Sequence, residues 1–252
     1  MTNYYKMKNS LLFPLLCLAV FSSCKQVNEA VVAPEEDTSQ FVLLSDVIPD
    51  VIFEMRYYST YNFIGDRIPG YEQPIAFMTR QAADSLKAVS DELREKGYRL
   101  KIFDAYRPQC AVDCFLKWAQ DTTDFRMQPY FYPELRKAEV VPNGYIAEQS
   151  THSRGSAVDL TLFDMNAGHD VDMGSPFDFF GMASHPDVQP GQEVGTWSPI
   201  NEAQYANRML LSEAMVRHGF KPDDCEWWHF SLKNEPFPDT YFTFPVNLTV
   251  LK

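Results

Sequence analysis

Between Thr79 and Gln120 the spacing of apolar residues changes period twice, and that alternation narrows the folds open to the chain more than any other feature. Ala82, Leu86, Val89 and Leu93 share one stripe of a helix that Thr79 can cap and Gly97 can stop. Tyr98–Ala105 follows as a strand. Pro108 then stands at the start of a second helix through Gln120, whose buried stripe is Ala111, Val112, Phe115, Leu116 and Ala119. No glycine-rich loop joins a strand to a helix, so a nucleotide-binding fold has no support. Upstream, Val51, Phe53, Met55 and Tyr57 alternate on one face of a strand over Val51–Tyr58. Downstream, Ser156–Phe163 and Cys225–Leu232 read as strands, and Ser198-Pro199 opens a third helix that closes near Gly219. Without a regular βαβ rhythm or an internal repeat, the expectation is α+β: a single domain over residues 41–252, with a mainly antiparallel central sheet flanked by helices.

The 252 residues are 45% hydrophobic, enough for a sizeable core without a disulfide framework. A formal charge of −12 leaves no basic footprint for a phosphate backbone, which excludes nucleic acid as a partner. Leu11–Phe21 is the only long apolar run, and it is shorter than the roughly 20 residues a membrane-crossing helix needs. Lys6 and Lys8 precede it and Ser22-Ser23 follow, the layout of a processed export signal over residues 1–23. Cys24 after the small pair resembles the lipobox of bacterial lipoproteins, so lipidation of Cys24 is expected. That makes the lipid the only membrane contact and the protein exported, held in the periplasm or cell envelope. Residues 24–40, small, acidic and proline-containing, read as a tether. Of the remaining thiols, Cys225 can bridge to Cys110 or Cys114, or all three stay free.

Five histidines are present, and two stand in dense polar contexts: Ser150-Thr-His152-Ser-Arg-Gly-Ser-Ala-Val-Asp159 and Glu226-Trp-Trp-His229. A catalytic zinc takes three protein ligands from His and carboxylate and keeps a fourth position for water, and His152, Asp159 and His229 make such a set. Glu226 is then the candidate general base. A regular strand would put Glu226 and His229 on opposite faces, so Glu226 must sit at a bulge or at the strand's beginning. Each motif alone has a plainer meaning, a structural His–Asp hydrogen bond or a buried aromatic strand. His218 suits the C-terminal end of a helix dipole, and His169 and His185 fall in loops rich in Asp, Gly and Pro. In Asp104-Ala-Tyr-Arg107-Pro108, Arg107 ends a strand with a rigid donor fork suited to an oxyanion or a carboxylate.

Together these motifs resemble the D-alanyl-D-alanine dipeptidase family of zinc enzymes, and the similarity runs across nearly all of 41–252. It includes Gly70-Tyr71-Glu72, Ala111-Val-x-x-Phe115-x-x-Trp118 and Met173-Gly-Ser-x-Phe-Asp178-Phe. The resemblance implies one catalytic Zn2+ on His152, Asp159 and His229, located on the sheet. It further implies Glu226 as general base and acid, and Arg107 as stabiliser of the tetrahedral intermediate. Ser150, Tyr145 and Asp178 would contact the dipeptide, Asp178 taking its ammonium, with Tyr71 and Phe115 as pocket walls. The implied substrate is a small dipeptide, cleaved in wall turnover or D-alanine scavenging. Two alternatives remain at this point: a related carboxypeptidase or endopeptidase acting on longer wall peptides, and a lipoprotein whose zinc is structural. Residues 183–198, rich in Pro and Gly, form a long loop or a lid.

Overall fold

The computed structural model describes Met1, Thr2 and residues 36–251. Residues 3–35, which hold the rest of the expected signal segment and Cys24, lie outside the described residues. In chain order the elements are β1 (Phe41–Leu43), α1 (Leu44–Val47), β2 (Ile52–Phe53), β3 (Phe77–Thr79), α2 (Arg80–Glu95), β4 (Tyr98–Asp104) and α3 (Gln109–Gln120). The single turns α4 (Gln128–Phe131) and α5 (Lys137–Val140) follow, then β5 (Ala157–Asp164), β6 (His169–Asp170), α6 (Glu202–Arg217), β7 (Phe220–Pro222) and β8 (His229–Leu232). Among the described residues, six strands form one sheet in the order β2-β4-β5-β8-β7, with β6 added beside β5, while β1 and β3 pair separately. The class is α+β, as expected. The sheet is mixed, because β2 runs parallel to β4 whereas the other pairs are antiparallel.

Alternation along β5 decides what each face of the sheet becomes. Val158, Leu160 and Leu162 point one way and join Leu100 and Ile102 of β4 in the main core. The stripe Ala82, Leu86, Val89 and Leu93 of α2 and Leu211, Ala214 and Met215 of α6 belong to that same core. Asp159 and Thr161 point the other way. The first face is therefore the apolar seat of two helices, and the second is free to carry polar chemistry.

Several boundaries differ from the sequence reading, each for a local reason. The strand expected over Val51–Tyr58 is extended only at Ile52 and Phe53, where it pairs with Lys101 and Ile102; Arg56–Tyr58 then coil into a 3-10 turn. That turn still buries Met55 and Tyr57, so the alternation marked burial and not extension. The third helix starts at Glu202 and not at Ser198-Pro199, because Asn201 and Gln204 cap each other's backbone amides reciprocally. Thr79 precedes α2, but its hydroxyl pairs with Ser156 at 3.1 Å and leaves the helix amides alone. Cys110, Cys114 and Cys225 are all free, so among the described residues no bridge braces the domain. Finally, the compact unit takes in residues 36–40, which the sequence assigned to the tether. The Glu36 carboxylate accepts the backbone amides of Thr243 and Phe244, and the Thr38 hydroxyl donates to the Val250 carbonyl.

His218 follows α6 and, beyond meeting the helix dipole, joins a cluster that ties α6 to α2. Glu92 of α2 accepts from Arg217 at 2.6 Å, from Lys96 at 2.8 Å and contacts His218 at 3.0 Å. Arg217 first, then Lys96 and His218, hold the Glu92 carboxyl down at about 2. A depressed folded-state value means the stabilisation is whole above the unfolded Glu value of about 4.3 and disappears as pH falls towards 2. Glu92→Gln is expected to cost about 0.2–1 kcal/mol at pH 7, since the group is partly solvated. Denaturant melts at pH 7, 4.5 and 3 should show the gap between the two proteins narrowing with acid; a constant gap would refute this account.

Candidate active site

One row of residues crosses the polar face of the sheet. Asp104 of β4 lies opposite Asp159 of β5, and Asp159 lies opposite His229 of β8. Residues directly opposite on neighbouring strands share a face and bring their side chains together. The β4–β5 register shifts between Ile102 and Asp104, the kind of irregularity that re-aims a side chain beside a site. His152 arrives from the loop before β5. There the Ser150 hydroxyl caps a 3-10 turn, Thr151–Arg154, by accepting the His152 amide at 3.2 Å. Gly155 ends that turn at φ +72°, and a Cβ there would overlap the ring of Phe41, so the position admits only glycine. Glu226 lies ahead of β8 in a turn closed by the His229 amide on the Glu226 carbonyl, 3.2 Å. The turn, not a strand, separates Glu226 from His229, and both line the same cavity.

The histidines are held with their bare nitrogens inward. His152 Nδ1–H donates to the Ala105 carbonyl at 2.6 Å, which leaves Nε2 as a lone pair. The Nε2 edge of His229 meets the hydroxyls of Thr151 at 3.2 Å and Ser231 at 3.1 Å, which leaves Nδ1 facing the centre. His152 Nε2 and His229 Nδ1 stand 3.0 Å apart, and the Asp159 oxygens lie 3.3 and 3.0 Å from them. Three acceptors this close repel one another unless a cation sits among them. Bonds of about 2.0–2.1 Å to a tetrahedral zinc put neighbouring ligand atoms about 3.3 Å apart, so the set fits that ion.

Around this centre the cavity, about 440 Å³, collects the remaining polar groups. Arg107 donates from Nε to Asp104 at 2.9 Å and lies 3.5 Å from Asp159, with its guanidinium flanked by the rings of Tyr57 and Phe115 at 5.0 and 5.1 Å. Asp178 is buried, with a left-handed φ of 62°; Tyr57 donates to its Oδ1 at 3.1 Å, and among the described residues its Oδ2 has no partner. Burial first, then the charge of Asp159, raises the Asp178 carboxyl well above its ordinary range. Burial likewise raises Glu226 well above its ordinary value, with Asp159, Asp223 and Asp178 adding to the effect.

Most of the residues expected from sequence meet here, and some do so in other roles. His152, Asp159, His229, Glu226, Arg107, Ser150, Tyr145, Asp178 and Phe115 line the cavity. Tyr71 does not: it is buried behind the site and donates to Asp104 Oδ1 at 2.7 Å, so it steadies the partner of Arg107 instead of forming a wall. Ser150 uses its hydroxyl on the His152 loop. Tyr145 meets His185 Nε2 at 3.1 Å, which gives a purpose to a histidine read as a loop residue. Two functional residues were missed. Tyr57 was hidden in an apolar alternation, and Asp104 in the Asp-Ala-Tyr-Arg stretch went unassigned although its spacing from Arg107 pointed to it.

A largely buried His–Asp–His set, with a perturbed carboxyl and a fixed arginine facing the same cavity, defines a mononuclear metallohydrolase. The comparisons with known proteins make this specific. A family model described as D-ala-D-ala dipeptidase matches residues 37–247, and the chain belongs to that family of zinc metallopeptidases. A D-alanyl-D-alanine dipeptidase of Enterococcus faecalis is 39% identical over 207 residues, covering 82% of this chain and 98% of the relative. Relatives with the same description from Streptomyces coelicolor, at 36% identity (83% of this chain, 99% of the relative), and Escherichia coli, at 32% (78% and 86%), align comparably.

The hydroxyl pair behind His229 generates a measurable expectation. Thr151→Val combined with Ser231→Ala removes both partners of His229 Nε2 and should weaken zinc binding about 10–100-fold with the fold intact. Competition against a chromophoric chelator measures this, and an unchanged affinity would show that the ring is oriented by packing alone.

Proposed function

We propose that the protein hydrolyses D-alanyl-D-alanine to D-alanine. The observation that carries this reading is Asp178, a buried carboxylate whose Oδ2 lacks a partner beside the metal-ligand set. An unpaired buried carboxylate is costly unless a cation completes it, and a substrate ammonium supplies that cation. Tyr57 fixes Oδ1, so Oδ2 remains for the ligand. A chain pinned by its free amino end here has its first peptide bond beside the metal ligands, which selects dipeptides over internal bonds of long chains.

Zinc bound by His152, Asp159 and His229 would supply Lewis acidity, making water a nucleophile at neutral pH and polarising the scissile carbonyl. Glu226 takes the water proton on its carboxylate oxygen and delivers it to the leaving amine; its raised affinity for protons suits both halves of that transfer. Arg107 holds its charge throughout, because Tyr57, Asp104, Tyr71 and Asp159 overcome the effect of burial, and it faces the developing oxyanion. Asp104 and the flanking rings keep the guanidinium in place, so little reorganisation accompanies the reaction.

The sequence supports a setting as well. The basic-apolar-small pattern of residues 1–23 and the cysteine at position 24 favour an exported lipoprotein on a bacterial envelope membrane. There the enzyme would meet dipeptide released from wall material, so turnover or scavenging of D-alanine is its role. Incorporation of labelled lipid, lost in Cys24→Ala, tests the anchor.

The activity is tested by incubating the zinc-loaded protein with free D-alanyl-D-alanine and measuring D-alanine. Glu226→Gln should lose about 10²–10⁴-fold in kcat while retaining one equivalent of zinc. Asp178→Asn should raise KM far more than it lowers kcat. A longer stem peptide cleaved as fast as the dipeptide, unaffected by Asp178→Asn, would reject the dipeptidase reading in favour of a carboxypeptidase.

A further inference from the structure

We propose that Lys221 binds the free carboxylate of the substrate and, with Asp178, sets the length of peptide that is accepted. The inference rests on the dipeptidase reading of the site and extends it to the leaving-group side. Its basis is the strand order β2-β4-β5-β8-β7. Tyr57, which orients Asp178, follows β2 at one edge; Asp159 and His229 lie on the central strands β5 and β8; Lys221 lies on β7 at the other edge. A substrate whose ammonium meets Asp178 and whose peptide bond lies beside the metal ligands therefore points its C-terminus towards β7.

Register gives the reach. Lys221 pairs with Ser231, and His229 is two residues before Ser231 on β8. Lys221 is thus the diagonal neighbour of His229 on the face that carries the metal ligands. Diagonal neighbours stand about 7–8 Å apart at their Cα atoms, within reach of a long side chain. The leaving residue adds only about 3.5 Å of chain beyond the scissile bond, so its carboxylate falls in the gap that the Lys221 side chain spans.

Lys221 lines the cavity, and among the described residues its ammonium makes no ion pair. Two of the neighbouring acids have other engagements: Glu235 gives both oxygens to Arg154 at 2.6 Å, and Asp223 accepts the Cys225 amide at 2.7 Å, while Asp224, also at the mouth, forms no ion pair with Lys221 among the described residues. An unpaired lysine in the mouth of an acidic protein is an attractive field for an anionic end group. Lys233, also at this mouth, lies two residues beyond Ser231, about 13 Å along β8 from His229, too far for a single leaving residue.

The experiment crosses a side chain with a substrate group. D-alanyl-D-alanine and its C-terminal amide, which keeps the peptide bond but not the charge, are given to the wild type, Lys221→Met, Lys221→Arg and Lys233→Met. The wild type and Lys233→Met should prefer the acid by roughly 10-fold or more in kcat/KM, the scale of one charge-assisted hydrogen bond. Lys221→Met should raise KM for the acid by a similar factor, leave turnover of the amide unchanged and so lose the preference, while Lys221→Arg should regain most of it. Retention of the wild-type preference by Lys221→Met, or its loss in Lys233→Met instead, would overturn the assignment. Calorimetric binding of both compounds to zinc-loaded Glu226→Gln, with and without Lys221→Met, reads the same preference without turnover. A wild type that binds the acid selectively through Lys221 but hydrolyses nothing would refute the dipeptidase reading and leave the assignment of Lys221 standing.

Discussion

His152 Nε2 and His229 Nδ1 stand 3.0 Å apart, and each faces one oxygen of the Asp159 carboxylate, at 3.3 and 3.0 Å, so three residues' lone pairs converge in the interior of the protein. Nothing in that triangle is favourable on its own, since each atom repels the other two and burial removes the water that would separate them. A divalent cation turns the same geometry into the strongest local interaction available. Much of the fold can be understood as the apparatus that holds the triangle closed. Antiparallel register sets Asp159 against His229, Gly155 lets the loop carrying His152 lie against Phe41, and the Ala105 carbonyl and two hydroxyls choose which nitrogen of each ring faces in.

The positive centre also organises its surroundings. Four carboxyls, Asp104, Asp159, Asp178 and Glu226, gather within one small region, and burial penalises the charged form of each. Arg107 relieves part of this by pairing with Asp104 and approaching Asp159. Among the described residues Asp178 and Glu226 have no such cation at hydrogen-bonding distance, and burial raises their proton affinities accordingly. In the proposed mechanism these two are also the groups that take a partner from outside, one an ammonium and the other a proton in transit. The carboxyls paired with Arg107 hold the site together, and the proposed function assigns the two without a cationic partner to the substrate.

How much of this was legible in the sequence depends on the range of the interaction. The stripes of α2 and α3 and the strands β4 and β5 are visible because period and punctuation are local. The metal ligands are visible because two short motifs each carry a recognisable donor set. Tyr57 was not, since an aromatic residue in an alternating run is indistinguishable from core until the 3-10 turn at Arg56–Tyr58 aims its hydroxyl at Asp178, 121 positions away in the chain. Tyr71 shows the opposite error: a residue near the site in sequence pattern stands one layer behind it in space. The difficulty over Glu226 came from extending β8 too far upstream. Asp223-Asp-Cys-Glu226 holds no alternation, and the chain turns there before the ladder begins at His229.

The sheet explains why amino-end recognition and chemistry can be built to different tolerances. Two of the metal ligands, Asp159 and His229, sit on adjacent central strands, where hydrogen bonds on both sides restrict movement, and the third, His152, is fixed in its 3-10 turn by the Ala105 carbonyl. Asp178 instead lies on a connecting segment in a left-handed conformation that a non-glycine residue rarely adopts, and its position depends on Phe177 stacking against Phe103 at 4.7 Å and on the Tyr57 hydroxyl. Strain of this kind persists only where neighbours over-determine it. The buried Phe177 supplies that constraint, while the residue after it faces the cavity with one oxygen unpaired. A shift of this segment would move the proposed ammonium site without disturbing the metal ligands, so changes in the Phe103–Phe177 contact should alter which peptides bind before they alter how the bound peptide is cleaved.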